Sequence, residues 1–331
     1  MVAAFARAAE GSALAALVQL VDYIPAPPPP RQRGRPVTYS DRLFLKALVV
    51  MIVRHLAQVH TLLAVLEEPT PEMRGLRALL TEGGRFPARR TWERRLRAVP
   101  DRLPAQIGCL GRSLAEALDP WRDCGRAVAI DSTVLAARGG VWHRKDRERG
   151  LVPHTSIDTE AAWTKSGWHG WVYGWKLHLV STAAAVWIPL AADLTPANTA
   201  DNEAAPGLLD ELPAEAGFVL GDSHYGAPNV RAVCAWAGRV LVAPRRGPYP
   251  HADAGAAVRG VFHRLRSRSI ENFNEQFKGI FACHGQVPTR GLRATRRFAL
   301  GAVFVYQLAV LHRYQSGDTL RQGLKPFLCA A

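Results

Sequence analysis

Length, composition and charge limit the kinds of protein that this sequence can encode. The chain has 331 residues, of which 48% are hydrophobic, and these suffice for a buried core in two domains or one large one. The formal net charge of +14, from 42 Lys and Arg against 28 Asp and Glu, attracts polyanions. We therefore expect a chain that folds independently and has nucleic acid as its first candidate partner, although charge alone also fits an unspecific basic surface.

The cysteines and the longest apolar run bear on the compartment. Five cysteines are widely scattered, form no C-x-x-C pair and leave one over in any disulfide pairing, which fits a reducing cytoplasm. The most apolar run, residues 298–311, has about 14 residues, whereas a membrane span needs roughly 20. We expect a buried C-terminal helix, a cytoplasmic protein and no membrane partner.

The beginning of the chain contains a spacer and a basic segment. A short helix is followed by residues 25–30, a proline-rich spacer that is stiff and extended. Arg33 and Arg35 come next in an Arg-Gly-Arg-Pro sequence, which resembles the AT-hook, a segment that lays arginines in a narrow minor groove. A solvated basic linker is the alternative.

Residues 40–118 are predicted to be mostly helical. The first of these helices begins at a cap formed by Ser40 or Asp41, and further helices are expected near 61–67 and 72–81.

A basic helix is predicted after the glycine pair at positions 83 and 84. Thr91 is its expected cap, and Trp92 and Leu96 are expected to pack inward because positions four apart share a helix face. A helix-turn-helix protein offers such a helix to the major groove, whereas a solvated surface is the alternative. The arginines predicted to contact DNA phosphates are Arg89, Arg90, Arg94, Arg95 and Arg97.

The sequence pattern changes near residue 126, which predicts an N-terminal helical region, residues 1–120, and a second domain, residues 121–331. Short apolar segments in the second domain alternate with turns and helices, an order that suits a mixed sheet covered by helices. The predicted strands are 127–131, 171–181, 186–194, 217–221 and 239–243, and the predicted helices lie near 202–212, 228–237 and 262–282.

Two acidic residues stand at the ends of predicted strands. Asp131 follows the apolar segment Ala-Val-Ala-Ile, and Asp222 follows Phe-Val-Leu-Gly. Ligands collect at the carboxyl ends of strands in open α/β sheets, so the two carboxylates meet if their strands are neighbours. For either residue alone, capping of the next turn is the simpler interpretation.

The third carboxylate is predicted on the helix over 262–282. A rotation of about 100° per residue groups Glu271 with Lys278 in a polar stripe, separate from the apolar stripe of Ile270, Phe273, Phe277 and Phe281. A plain amphipathic helix with paired charges is the alternative. Three carboxylates suit Mg²⁺ or Mn²⁺ in phosphodiester chemistry, with Lys278 and nearby arginines holding DNA phosphates.

These motifs resemble those of bacterial insertion-sequence DDE transposases with an RNase H-like catalytic domain. The matching residues are Asp131 in Ala-Ile-Asp-Ser-Thr, Asp222 in Leu-Gly-Asp-Ser-His-Tyr-Gly, and Glu271 seven positions before Lys278; residues 173–201 are also similar. The resemblance implies an α+β fold, with an RNase H-like mixed sheet flanked by helices and an N-terminal all-helical DNA-binding region.

The resemblance also implies a chemistry. Asp131, Asp222 and Glu271 would be the catalytic residues and would hold two Mg²⁺ or Mn²⁺ ions during strand cleavage and strand transfer. The implied partners are double-stranded DNA, as element ends and target, and a second copy of the chain in a homodimer on DNA. The implied location is the bacterial cytoplasm, at the nucleoid.

The sequence departs from the family pattern before Glu271. Arg264 replaces a Tyr and Ser267 replaces an Arg, so the role of the family arginine passes to Arg266 or Arg268. Glu271 follows Asp222 by 49 positions, which leaves no room for the large β-rich insertion of some relatives. Two other functions stay open: a nuclease that does not join strands, and an inactive DNA-binding regulator.

Further polar residues of the second domain lie in the segments between and beside the three acids. Asp158, Asp193 and Asp201 are interpreted as residues that cap turns or orient neighbours, with Asp201 the first candidate for a further role. His224 and Tyr225 are close enough in sequence to Asp222 to help align it.

Overall fold

The described residues of the computed structural model are 12–28, 38–118, 126–167, 170–183, 186–244, 256–318 and 324–330. Within these ranges, helices precede a sheet in the chain, and one hydrophobic core runs through both. Arg33 and Arg35, the residues of the predicted minor-groove segment, lie outside the described residues.

The described part of the N-terminal region is helical, as predicted. Ser40 caps the second helix by accepting a hydrogen bond from the backbone N–H of Leu43, so the predicted start of this helix is confirmed. The helices are α1 (Ala13–Leu20), α2 (Asp41–Val53), α3 (Val59–Leu66), α4 (Pro71–Leu79), α5 (Arg89–Ala98) and α6 (Leu103–Leu118).

The basic helix α5 begins earlier than the sequence predicted. Its N-cap is Ala88, which makes no side-chain cap hydrogen bond, so the predicted cap at Thr91 is wrong. Thr91 lies instead in the first turn, where Arg89 and Glu93 form an ion pair of 2.8 Å one turn apart. This pair stabilises the first turn in place of a cap.

The inward face of α5 is formed as predicted. Trp92 and Leu96 are fully buried, and the Trp92 ring packs edge to face on Phe44 of α2 with centroids 5.1 Å apart. Such an aromatic contact adds directional packing to the burial. It fixes the orientation of α5 and of its exposed face.

The second domain contains a mixed sheet in the strand order β2-β3-β1-β5-β6. β1 pairs antiparallel with β3 and parallel with β5, which pairs parallel with β6. On its other edge β3 pairs antiparallel with β2 over one part of its length and with β4 over the other. The strands are β1 (Ala127–Ala136), β2 (Ala162–Ser166), β3 (Gly170–Thr182), β4 (Pro189–Pro196), β5 (Phe218–Leu220) and β6 (Val240–Val242).

Strand β1 is longer than predicted. The predicted end at Asp131 is wrong, because β3 pairs with β1 in antiparallel register from Val128 to Ala136. Backbone pairing therefore carries the strand through its polar residues, which an apolar pattern could not reveal. The strand β2, which the sequence pattern did not predict, extends the other edge of β3.

The predicted continuous helix over 262–282 is interrupted by a π-helical turn. α10 (Ala256–Arg266) leads into the π turn Ser267–Glu271, which is followed by α11 (Asn272–Ile280). The buried Ser269 hydroxyl donates to the carbonyl oxygens of Leu265 and Arg266, at 2.8 and 3.0 Å. It thus competes for carbonyls that a regular α-helix offers to backbone N–H groups. The predicted apolar stripe is confirmed, because Ile270, Phe273, Phe277 and Phe281 are buried.

The C-terminal part of the described chain is helical and deeply buried. α12 (Leu292–Gln315) has 24 residues and is long and apolar enough to cross a membrane by length and composition alone. However, 78% of its most apolar window is buried inside the molecule, so the predicted buried C-terminal helix is confirmed. The other helices are α7 (Arg144–Glu148), α8 (Asp201–Asp210) and α9 (Pro228–Trp236), which precede α10, and α13 (Lys325–Ala330).

Helices flank the mixed sheet, so the predicted α+β fold, a mixed sheet flanked by helices after a helical N-terminal region, is confirmed. α12 contacts both α2 and β4, and α6 also contacts β4. These contacts join the helical region to the sheet. The division of the chain between residues 120 and 121 stays a proposal.

Candidate active site

Asp131 and Asp222 lie side by side because of the register between two parallel strands. Ala129 of β1 pairs with Leu220 of β5, and each aspartate stands two residues further along its own strand direction. Neighbouring strands are about 4.8 Å apart, so two residues at equivalent positions are neighbours across the sheet. The structure brings these two predicted residues together.

Glu271 reaches the same region from the π turn, which packs against β1 and β3. Its Oε1 accepts a hydrogen bond from Nη2 of Arg266 at 2.7 Å, in an ion pair between residues five positions apart. In a regular α-helix such residues point about 140° apart, whereas the wider π turn brings them onto one side. Of the two arginines proposed for the family position, Arg266 is therefore the one that contacts Glu271, and Arg268 is exposed.

The electrostatics of Asp131 show that the three carboxylates lie near one another. Burial raises the pKa of Asp131 to about 7, against the opposing charge of Arg266. The carboxylates of Asp222 and Glu271 contribute to this rise. Asn274 on α11 donates to Oδ2 of Asp131 at 3.2 Å and holds its orientation.

The donor set suits a hard divalent cation. Carboxylate oxygens are the ligands that Mg²⁺ and Mn²⁺ favour, and a cation offsets the charge that burial and the two neighbouring carboxylates make costly at Asp131. In the side-chain arrangement present, no three His, Cys, Asp or Glu groups in the described part of the chain stand close enough together to hold a metal ion. Glu271 is turned toward Arg266 instead.

A buried polar network supports Asp131 from the sheet, and sequence reasoning had found only part of it. Oδ1 of Asp201 accepts hydrogen bonds from the Ser132 hydroxyl at 2.8 Å and from Nζ of Lys176 at 3.0 Å. His178 lies 3.7 Å from the same oxygen, and burial lowers the pKa of this histidine to about 4. Asp201 therefore orients Ser132, the residue next to Asp131, which agrees with its interpretation as an orienting residue.

The signal for the missed residues is present in the sequence of β3. Lys176 and His178 are two positions apart, so they face the same side of a strand that is otherwise apolar there. Polar residues on one face of a buried strand indicate a polar partner across the sheet. The partners, at Ser132 and Asp201, could not be identified without the strand pairing.

The residues after Asp222 contact it or pack beneath it. The backbone N–H of His224 donates to Oδ1 of Asp222 at 2.8 Å, and the His224 ring lies 3.0 Å from Oδ2. Tyr225 is buried beside the acidic residues, and burial raises the pKa of its hydroxyl well above the usual value. Both residues therefore lie where the sequence interpretation placed an aligning role.

The predicted basic residues fall into two groups. Lys278 is part-buried on α11, and burial lowers its pKa while the carboxylates of Glu275 and Asp131 oppose this effect. Arg95 on α5 pairs with Asp41 and stacks over a phenylalanine ring. The other predicted arginines of α5 are exposed: Arg89, Arg90, Arg94 and Arg97.

Comparison with known proteins gives the following relationships. A family model described as "Transposase DDE domain" matches residues 122–308, a span that contains all three carboxylates. No curated protein matches the chain. Similar solved structures are a pre-cleavage Mos1 transpososome, with a TM-score of 0.22, and a Mos1 transposase paired-end complex with left transposon end, with a TM-score of 0.23.

Both structures are 14% identical to the chain in sequence. The first alignment covers 85% of this chain and 81% of the other, and the second covers 88% and 83%. Because the family model spans more than half of the chain and includes the whole candidate site, the chain belongs to the transposase DDE domain family.

Proposed function

We propose that the chain binds the ends of its own mobile element and catalyses metal-dependent cleavage and strand transfer of DNA. Asp131, Asp222 and Glu271 would be its catalytic residues, and Mg²⁺ or Mn²⁺ its cofactor. It would act as a homodimer on double-stranded DNA in the bacterial cytoplasm, at the nucleoid. A dimer suits this reaction because two element ends are joined to one target.

The observation that carries the proposal is the proximity of the three acids. Asp131 and Asp222 each stand two residues beyond a paired position of two parallel strands, and Glu271 follows from a π turn packed on the same sheet. Both Asp222 and Glu271 lie near enough to raise the pKa of Asp131. π turns inside helices are frequent at functional sites. Family membership supports the same chemistry.

The residues of the site have two roles in the proposal. Three carboxylates would bind the metal ions, and neighbouring residues hold Asp131 in position. Asp131, Asp222 and Glu271 would hold two divalent ions, which would supply Lewis-acid activation of the attacking and leaving oxygens. The Asn274 side chain and the Ser132 backbone hydrogen-bond to Asp131, and Asp201 holds the Ser132 hydroxyl. Glu271 would exchange its contact with Arg266 for the metal, which frees the guanidinium for a DNA phosphate.

Two nucleophiles would use this site in succession. Water attacks a phosphodiester at the element end, and the broken P–O bond leaves a 3′-hydroxyl on one side of the nick and a 5′-phosphate on the other side, in the same strand. That 3′-hydroxyl then attacks a phosphodiester of the target, forms the new P–O bond and releases a 3′-hydroxyl of the target. Lys278 lies close enough to Asp131 for this carboxylate to oppose the lowering of the Lys278 pKa, and Lys278 would hold a phosphate at the site.

The test is cleavage and joining of a labelled duplex that carries the element's own ends, in Mg²⁺ or Mn²⁺. We expect Asp131→Asn, Asp222→Asn and Glu271→Gln each to lower cleavage at least about a hundredfold, with DNA binding in EDTA retained. Glu275→Gln is the matched control, because Glu275 is exposed on the following helix and loses the same charge. Cleavage at wild-type rate in any of the three variants would remove that residue from the site.

The ion pair between Arg266 and Glu271 favours one second candidate, a DNA-binding regulator that does not cut. If the pair is permanent, Glu271 cannot serve as a ligand. Tight binding of the element ends without any cut product in either metal would support this candidate. Cut products without joined products would instead support a nuclease.

A further inference from the structure

A cavity of about 610 Å³ lies between the helical region and the sheet domain, away from the three carboxylates. Its wall includes Gln58 from the loop before α3, Ser156 from the segment after α7, and Thr289 from the loop before α12. Among the described residues, no Asp or Glu lines the cavity. Three arginines complete its wall: Arg138, Arg290 and Arg297. We call it the arginine cavity.

The three arginines are held in place by backbone carbonyls. Arg138 donates to the carbonyl of Pro288 at 2.7 Å, Arg290 to that of Thr155, and Arg297 to that of Ala57 at 3.1 Å. Within the described residues none of the three forms an ion pair with a carboxylate. Each guanidinium has five N–H donors, so most of them stay available after one such contact.

Two neighbouring arginines on α12 differ from these three, because each of them pairs with an aspartate. Arg293 pairs with Asp101 at 3.1 Å, and Arg296 pairs with Asp193 at 2.7 Å. Arg297, the next residue, is part-buried without such a partner in the described part of the chain, and burial lowers its pKa. Three positive charges that converge on one cavity without a counterion make it a site for an anion.

The wall of the cavity is tightly packed around Gly139. Gly139 has a φ of +93°, and a Cβ at this position would lie 2.2 Å from the carbonyl oxygen of Ser156. Its backbone N–H and carbonyl also form reciprocal hydrogen bonds with the Gln286 side chain, at 3.1 and 3.0 Å. These contacts hold Arg138, the preceding residue, against the loop that carries Arg290. The arginines are therefore preorganised before any ligand arrives.

We propose that the arginine cavity binds a backbone phosphate of the DNA, at a position remote from the bond that is cut. This inference rests on the proposed function, because it takes DNA as the substrate. Guanidinium groups match phosphate oxygens in geometry and stay charged when part-buried. The cavity is also lined from both the helical region and the sheet domain, so one DNA strand seated in it contacts both.

The distance from the active site follows from β1. Asp131 and Ala136 are five residues apart on this strand, which corresponds to about 17 Å, and Arg138 lies just beyond the end of the strand. Phosphates of one DNA strand recur about every 3.4 Å along the duplex axis. The phosphate in the arginine cavity therefore lies roughly five or more nucleotides from the scissile bond, and the contact positions DNA rather than takes part in chemistry.

The experiment measures DNA affinity against salt concentration in EDTA, for the wild type and the double variant Arg138→Gln/Arg290→Gln. We expect the variant to bind a duplex of the element end about 10 to 100 times more weakly near 0.1 M salt. The slope of log K against log salt should fall by about one, because the cavity binds one phosphate. Arg293→Gln is the control. It removes one positive charge from α12, outside the cavity, and should keep the wild-type slope.

A second variant keeps the test decisive if the glutamine variant folds poorly. Arg138→Lys/Arg290→Lys retains both charges, so it should keep the wild-type slope, and melting temperatures report folding. Equal slopes in the wild type and a folded glutamine variant would overturn the proposal. The proposal would also be overturned if orthophosphate or a deoxynucleotide raised the melting temperature of the wild type while the glutamine variant bound the duplex as tightly as the wild type. The ligand of the cavity would then be a free small molecule.

The readout is independent of catalysis. Binding is measured in EDTA, where no cleavage occurs. If the double variant loses affinity but the wild type never cuts DNA in metal, the arginine cavity is supported and only the proposed catalysis is refuted. Conversely, cleavage that depends on the three carboxylates together with an unchanged salt slope would refute only the cavity.

Discussion

Asp131 carries a charge that the metal-free folded protein holds at a cost in stability. Asp131→Asn removes this charge but keeps a carbonyl oxygen that can accept the hydrogen bond from Asn274. We therefore expect the variant to be more stable than the wild type near pH 7.5 when metal ions are chelated. The direction is unusual, because most substitutions of part-buried residues destabilise a protein.

The size of the effect follows from the pKa of Asp131, which burial raises from 3.8 to about 7. Each pKa unit corresponds to about 1.4 kcal/mol, so three units set an upper limit of about 4 kcal/mol. The side chain is only part-buried, and solvent screening reduces the expected gain to about 1–3 kcal/mol. Between about pH 4 and pH 7 the folded state binds the proton more tightly than the unfolded chain. Wild-type stability therefore falls as pH rises through this window, and the advantage of the variant grows.

The assay is chemical denaturation in EDTA at pH 5 and pH 7.5. The gain in the free energy of unfolding should be smaller at pH 5 than at pH 7.5. Asp210→Asn, at the exposed end of α8, is the matched control and should change stability little. Added Mg²⁺ should stabilise the wild type but not the variant. A variant that is less stable than the wild type at both pH values would refute the reasoning, since Asp131 would then stabilise the fold.

Two further predictions concern the ion pair and the sheet. Arg266→Gln removes the cation nearest to the three carboxylates, so the rise in melting temperature on addition of Mg²⁺ should exceed that of the wild type, and an equal rise would contradict this. Gly174→Ala should destabilise the protein by several kcal/mol in denaturant titrations, because a Cβ there would lie 2.1 Å from the carbonyl oxygen of Leu135. Gly207→Ala, on α8 with no atom within 4 Å of the added Cβ, should instead stabilise it by about 0.5–1 kcal/mol.

Local patterns explain what the sequence predicted well. An apolar stripe at helical spacing and an apolar segment before an aspartate are properties of short segments. The buried face of the helix and the proximity of Asp131 and Asp222 could therefore be predicted without the fold. The hydrogen bond between Ser132 and Asp201 joins residues 69 positions apart, and the one between Lys176 and Asp201 joins residues 25 apart. Such contacts depend on strand pairing, which the apolar pattern predicted only in outline.

The π turn marks a different limit of sequence reasoning. A regular helix over 262–282 separates Arg266 and Glu271 around its axis, so their ion pair is not expected from the spacing. The hydroxyl of Ser269 changes this by bonding the carbonyls of the preceding turn. A buried serine inside an otherwise amphipathic helix is the available signal, and it indicates a change in helical geometry only once the side chain is known to point inward.

The register of β5 decides whether the two aspartates meet. β5 has only three residues, Phe218–Leu220, and both neighbouring strands pair with all three. A slip of one residue would turn Asp222 to the opposite face of the sheet, because successive side chains alternate between faces. Two contacts beyond the strand oppose such a slip. The backbone N–H of Gly221 donates to the carbonyl of Val242, and a Cβ at Gly221 would lie 2.7 Å from that of Tyr225. A larger residue at position 221 is therefore expected to impair the site by displacing the Asp222 carboxylate, although Asp222 itself is unchanged.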